Sequence, residues 1–168
     1  IACTHRINRG KNMKRILVVS DTHGDFYSFK KALQEQKSAD VVIHCGDNGG
    51  ELEELKMYHQ DKAFIAVKGN CDLGSTLPLV ETRVIEGKKI FITHGHLYNA
   101  KMTLYNLCCA AREEKADIVV FGHTHNALYE YEDGLHILNP GSLHGYGASY
   151  AYIDITDKGV VTNIVKLK

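Results

Sequence analysis

Three short apolar runs, each closing on glycine or polar residues, constrain this chain more than any other feature. Ile16-Leu17-Val18-Val19, Val41-Val42-Ile43 and Ala63 to Val67 are too short for buried helices and lack the alternation of half-exposed strands. They read as strands covered on both faces. Between them, Phe26, Phe29, Ala32 and Leu33 recur at helical spacing over 26–37, and Leu52 and Leu55 mark a short amphipathic helix over 51–58. The first half is therefore β-α-β-α-β, which favours a mostly parallel sheet with helices on its faces.

The second half is richer in strands. Residues 79–85 and 89–93 flank Glu86-Gly87 as a hairpin. Residues 100–115 read as a helix with Met102, Leu104, Leu107, Cys108 and Ala111 on its apolar side, and 118–121 as a further buried strand. Two more hairpins turn at Glu132-Asp133-Gly134 and Asp157-Lys158-Gly159. No repeat or linker interrupts this pattern. The expectation is an α/β fold: one domain over 13–168, a two-sheet β-sandwich with helices on its outer faces. Residues 1–12 are polar and precede Met13-Lys14-Arg15. They are expected to stand outside the fold as an N-terminal extension, a disordered arm or a cloning remnant, and their lack of an apolar stretch argues against a signal peptide.

Composition removes several classes of function. The longest unbroken apolar run is five residues, far from the about twenty that cross a bilayer, so no membrane role is expected. Lys plus Arg equals Asp plus Glu at 20 each. A cationic surface for nucleic acid is therefore not expected, and any phosphate chemistry must be local. The five cysteines are odd in number, two are adjacent, and none forms CxxC. That is no disulfide framework, and a reducing cytoplasm fits best. Tyr146, Tyr150 and Tyr152 read as a strand surface or an oligomer contact, so a homodimer or homotetramer is plausible.

The polar residues are concentrated at strand ends. Asp21, His23, Asp47, Asn70, His94, His123 and His125 each follow a strand. Beyond the carboxyl ends of strands in α/β sheets, loops leave a crevice beside rigid backbone. Five loops thus bring two carboxylates, one amide and four imidazoles to one edge. That donor set suits Mn, Fe, Ni, Co or Zn better than calcium. One ion takes three or four protein ligands. Seven suit a pair of ions sharing a carboxylate, roughly 3.5–4 Å apart, which can activate a bridging hydroxide and clamp a phosphoryl group for in-line displacement.

The blocks Asp21-x-His23, Gly46-Asp47, Gly69-Asn70, His94-Gly95-His96 and Gly122-His123-x-His125 resemble, in order, those of the calcineurin-like metallophosphoesterase superfamily. Asn139-Pro140-Gly141-Ser142 is similar to a segment of its small bacterial and archaeal phosphodiesterase branch. The resemblance implies a four-layer α/β/β/α fold and two divalent cations, with manganese favoured. It implies that Asp21, His23 and His125 bind one ion, that Asn70, His94 and His123 bind the other, and that Asp47 bridges them. It further implies a phosphodiesterase acting on a small phosphodiester. The alternatives are a broad phosphomonoesterase and a non-catalytic scaffold resembling the small retromer subunit.

One departure bears on the chemistry. Many phosphomonoesterases of the superfamily carry GNH at the third block, with the histidine placed to protonate the leaving group. This chain has Gly69-Asn70-Cys71-Asp72. A thiol is a poorer acid than imidazolium at neutral pH, which favours a diester whose leaving group departs without strong protonation. Cys71, Asp72 and His96 are the candidate catalytic residues beside the ligands. His44 is expected to be structural, or to orient a ligand. His5, His59, His136 and His144 are expected to be ordinary surface or core residues. Gly46, Gly69, Gly95 and Gly122 adjoin the donors and suggest close backbone approach.

Overall fold

The computed structural model describes residues 13–168, so the reading of residues 1–12 lies outside the described residues. In chain order the elements are β1 (Lys14–Val19), α1 (Phe26–Glu35), β2 (Val41–His44), α2 (Glu51–Tyr58), β3 (Ala63–Ala66), β4 (Val80–Ile85), β5 (Lys88–Thr93), α3 (Tyr105–Glu113), β6 (Ile118–Val120), β7 (Leu128–Glu132), β8 (Leu135–Asn139), β9 (Ser149–Thr156) and β10 (Gly159–Lys166).

Two five-stranded mixed sheets result, in the orders β10-β9-β1-β2-β3 and β4-β5-β6-β8-β7. Each has a parallel triplet, β1-β2-β3 in one and β5-β6-β8 in the other; antiparallel pairing extends the first on one side through β9 and β10 and the second on both sides through β4 and β7. Alternation along β1 explains the layering. Ile16 and Val18 enter the core between the sheets with Ile90, Ile92, Ile118 and Val120. Leu17 and Val19 point the other way, onto Phe29, Leu33, Leu52 and Leu55 of α1 and α2. Phe91 and Val119 meet Leu107 and Ala111 of α3 on the far side. Three apolar layers thus separate four layers of secondary structure, the expected α/β/β/α arrangement. Strands covered on both faces must be apolar at every position, which is why the runs are unbroken.

Four local expectations need correction. Strand β3, expected to be covered on both faces, forms the edge of its sheet, with Ala63 exposed and Phe64 and Ile65 only half-buried. Helix α1 stops at Glu35 rather than continuing to 37. Helix α3 starts at Tyr105, not 100. Before it, His96–Tyr98 form a single 3-10 turn, which Asn99 ends in a left-handed conformation (φ 55°). The Thr103 hydroxyl then accepts the Tyr105 N–H at 3.2 Å, and Met102 is left 79% exposed instead of packed. Nor do the three tyrosines share one surface. Tyr150 is buried, its hydroxyl donating to Glu35 and accepting from Gln36, while the Arg15 guanidinium lies over Tyr152 and Tyr146 is fully exposed. Among the described residues no helix is long and apolar enough to cross a membrane.

Candidate metal centre

The two parallel triplets deliver their carboxyl ends to one rim. β1 leads to Asp21 and His23, β2 to Asp47, β3 to Asn70, β5 to His94, and β6 to His123 and His125. Backbone hydrogen bonds lace these loops together: Asp21 N–H to Gly46 O (3.0 Å), His23 N–H to Asp47 O (2.9 Å) and Gly122 N–H to His94 O (3.1 Å). Strand ends pinned in this way set donor positions more exactly than free loops do.

The backbone of the rim is held out of its ordinary conformations. Asp21, His23, Asp47, His123 and His125 have φ of 52°, 46°, 57°, 66° and 60°. Asp and His tolerate the left-handed region better than most residues. Each such residue still costs about 1 kcal/mol or more, and such strain gathers where function requires it. The expected close approach of glycine also holds at Gly69 and Gly122. A Cβ on Gly69 would fall 2.0 Å from Asp47 Oδ1, and one on Gly122 2.5 Å from Asp21 Oδ2. Gly46 likewise lies against His94 and Gly69, whereas Gly95 packs on Ala100 and Phe121 instead.

The Asp21 carboxylate is divided in use. Its Oδ2 accepts the Ser20 hydroxyl (2.6 Å) and the His123 N–H (3.0 Å). Its Oδ1 is buried without any hydrogen-bond partner, although Nε2 of His125, His23 and His94 stand 3.1, 3.9 and 3.9 Å away. An orphaned buried carboxylate oxygen facing imidazole nitrogens is costly unless a cation joins them. The site therefore fits a divalent ion.

Asp47 sits beside it. His94 Nε2 lies 3.3 Å from Asp47 Oδ2, and the Cys71 N–H donates to Asp47 Oδ1 at 2.8 Å. Burial penalises the Asp47 charge, but the bonds from His94 and Cys71 outweigh it and hold the carboxyl well below the usual range. His94 Nδ1 lies 2.8 Å from the Cys45 carbonyl. A carbonyl can only accept, so Nδ1 carries a proton in either charge state, and in the neutral ring Nε2 is the atom left to bind a cation. Burial disfavours the charged imidazole of His94, yet Asp47 and Asp21 outweigh that and raise its pKa. Asn70 Oδ1 lies 3.1 Å from His94 Nε2, and the His123 ring is 5.1 Å from that of His94. Burial, with His94 and Lys101 nearby, pushes His123 down to about 4, so it stays neutral as a ligand must.

Three donor sets emerge, each with atoms within 4.8 Å of one another: Asp21, His23 and His125; Asp21, Asp47 and His94; His23, Asp47 and Cys71. Five of the seven sequence-derived donors fall in these sets, while Asn70 and His123 fall in none and lie beside His94 at the same rim.

The three other candidates take separate places. Cys71 is exposed at the mouth, and burial and Asp47 push its thiol pKa up. His96 packs its ring against His94 and His123, and its buried Nδ1 has no partner. Asp72 faces away from the mouth. Its Oδ2 accepts the N–H groups of Asp47 and Gly69, both at 2.7 Å, and its Oδ1 that of Asn48 at 2.9 Å.

Residues outside the donor set complete the frame. His44 is buried, accepts the Gly46 N–H on Nδ1 (3.1 Å) and meets the Thr22 hydroxyl with Nε2 (2.9 Å); Thr22 also bonds the buried Glu51. Burial depresses the His44 pKa to about 3. Asn139 donates to Gly122 O (2.9 Å), and Ser142 to Asp21 O (2.9 Å). The Asn139–Ser142 segment therefore braces two site loops. His144 follows it, exposed as expected, and comes edge-on to His23 with ring centres 6.0 Å apart.

Comparison with known proteins agrees with this geometry. The family model for the calcineurin-like phosphoesterase superfamily domain matches residues 13–158. The chain belongs to the calcineurin-like phosphoesterase superfamily. It is a metallophosphoesterase, a hydrolase of phosphate esters. It is 36% identical over 130 residues to the probable metallophosphoesterase YsnB of Bacillus subtilis, covering 76% of this chain and 74% of that protein. It is 29% identical over 159 residues to phosphodiesterase MJ0936 of Methanocaldococcus jannaschii, covering 85% and 92%. A crystal structure of a predicted phosphoesterase from Streptococcus pneumoniae superposes with a TM-score of 0.77 at 28% identity, over 92% and 90% of the chains. The zinc complex of Vps29 from Entamoeba histolytica shares the fold, with a TM-score of 0.67 at 22% identity over 90% and 98%.

Proposed function

We propose that this phosphoesterase is a two-metal phosphodiesterase acting on a small phosphodiester, with manganese the favoured ion among Mn, Ni, Fe, Co and Zn. The observation that carries the reading is Asp21 Oδ1, buried and unpartnered at the meeting point of three imidazoles. Asp21, His23 and His125 hold one ion in this reading, and Asn70, His94 and His123 the other. Asp47, beside both groups, would be the shared ligand. When bound, the ions supply Lewis acidity toward the phosphoryl oxygens and toward water.

The chain's own residues do the rest. Asp47 stays ionised throughout the neutral range, the Cys71 N–H donating to its Oδ1. The Cys45 carbonyl fixes the His94 tautomer. Asp72 works as a positioning residue, tying the Asp47 and Gly69 backbones together. His96 lies within reach of a phosphoryl oxygen entering between His94 and His123. Cys71 stands on the leaving-group side as a weak acid, which favours diesters over monoesters. The free thiols among the described residues favour a reducing, cytoplasmic setting. The scaffold alternative draws on the Vps29 likeness, but that likeness extends to the fold alone, and this chain keeps the whole donor set.

Chelator-stripped protein, reloaded with Mn²⁺, should take up two ions per chain and hydrolyse a bis-aryl phosphate faster than the corresponding aryl monoester. A chain that binds no metal and turns over neither ester would return the scaffold reading.

A further inference from the structure

Cys71 is more than a neighbour of the metal ligands. Its Sγ, a ring nitrogen of His23 and a carboxylate oxygen of Asp47 lie within 4.8 Å of one another, as closely grouped as the catalytic sets. The chain places the Cys71 backbone at this point. The Cys71 N–H is bonded to Asp47 Oδ1 at 2.8 Å, and the Asn70 amide donates to Sγ at 3.3 Å. Cys71 and His23 are both exposed, so small side-chain rotations bring their donor atoms onto one ion.

We propose that His23, Asp47 and Cys71 form a second, mutually exclusive metal position that captures thiophilic ions such as zinc and cadmium and holds the enzyme inactive. The inference rests on the two-metal reading above. Sulfur selects soft and borderline ions over manganese, whereas the oxygen and imidazole sets do not discriminate in this way. An ion held by sulfur takes His23 away from Asp21 and His125, and takes Asp47 away from its bridging task. One imidazole nitrogen cannot serve both positions. Binding displaces the thiol proton to solvent and leaves a metal thiolate across the mouth of the site. Manganese leaves the thiol protonated and the site open. Zinc is then a tight but poor activator, and one sulfur atom sets the metal preference.

The test uses chelator-stripped parent and Cys71→Ser, titrated with Cd²⁺ and followed by thiolate-to-cadmium charge-transfer absorption in the near ultraviolet. With Cys3 and Cys109 replaced by serine in both proteins, the parent should gain the band at about one equivalent and Cys71→Ser should lose most of it, since the remaining Cys45 and Cys108 are buried. Zinc added to the manganese-loaded parent should inhibit hydrolysis, and the inhibitory concentration should rise about tenfold or more in Cys71→Ser. Each protein is compared with its own manganese rate, so a change in basal turnover does not enter. An undiminished band in Cys71→Ser overturns the site while leaving the phosphodiesterase reading intact. A lost band with unchanged zinc inhibition overturns the exclusion of the catalytic pair. A parent without manganese-dependent hydrolysis overturns both.

Discussion

Asp21 Oδ1 and His125 Nε2 stand 3.1 Å apart with no hydrogen bond to satisfy the oxygen. Two lone-pair atoms brought together from distant strands need a cation between them. Asp21→Asn should therefore weaken Mn²⁺ binding by more than about tenfold, measured by equilibrium dialysis. Without metal the sign reverses. The chelated variant should unfold at the same or higher urea concentration than the chelated parent, because it no longer buries an uncompensated charge. A variant less stable than the parent in chelator would show that Asp21 is a purely structural acid.

Gly122→Ala tests the tightness of the same carboxylate. The added Cβ would lie 1.9 Å from Ser20 Oγ and 2.5 Å from Asp21 Oδ2, closer than real contacts allow. The loop must shift, at about 1–3 kcal/mol of stability by denaturant unfolding. The shift moves Asp21, so Mn²⁺ affinity should fall with it. Unchanged affinity would separate this glycine from the metal.

Asp72→Ala removes the acceptor for three backbone N–H groups, from Asp47, Asn48 and Gly69. Leaving these donors unsatisfied should cost about 2–4 kcal/mol. Hydrolysis should fall through kcat while KM for the ester changes little, since Asp72 orients Asp47 and does not touch substrate. Asp72→Asn, which keeps one oxygen, should recover part of both. A rise in KM alone would instead put Asp72 in the substrate pocket.

How much of this was legible in the chain depends on where the information lies. The unbroken apolar runs at 16–19, 41–43 and 118–121 announce strands covered on both faces, so the layers follow from local sequence. The donors at strand ends follow as well, because their position relative to a strand is local. Asp72, His44 and Thr22 are different. Asp72 and His44 stand out by their place beside the donors, but what they do, like the role of Thr22, comes from contacts with residues far along the chain, such as Asp72 with the Asp47 N–H and Thr22 with Glu51, which no local spacing marks. The start of α3 is hidden for a related reason: residues 100–104 have helical periodicity, but Asn99 in a left-handed turn and the Thr103 hydroxyl delay the helix.

His44 gives the protein a pH dependence with a definite sign. Its pKa is about 3 when folded, because burial excludes the charged form, against an ordinary value of 6.5. As pH falls below 6.5 the unfolded chain binds a proton that the folded chain does not. Stability therefore drops between pH 6.5 and about 3 and is indifferent to this group above 6.5. At pH 5 the loss is about 2 kcal/mol relative to pH 7.5. His44→Asn can still accept from the Gly46 N–H but does not titrate. In chelator, its unfolding free energy should be lower overall yet less steep between pH 7.5 and 5. An equal slope in both proteins would mean that His44 is protonated inside the fold.

The last test concerns the ester preferred. Cys71 is exposed at the mouth, its N–H bonded to Asp47, and burial and that carboxylate keep its thiol protonated at neutral pH. A neutral thiol is a weak proton donor, and an aryl diester needs little help to release its leaving group. A monoester of an ordinary alcohol needs more. Cys71→His places imidazole, with a pKa near neutrality, at the same backbone position. The ratio of monoesterase to diesterase kcat/KM should rise, by about tenfold or more if general acid assistance has its usual size of roughly 10²–10⁴ and the new ring is imperfectly placed. Alkyl monoesters should gain more than aryl monoesters, because their leaving groups are more basic. A ratio that stays level across this series would remove Cys71 from the leaving-group side and leave its sulfur as a metal-selecting group alone.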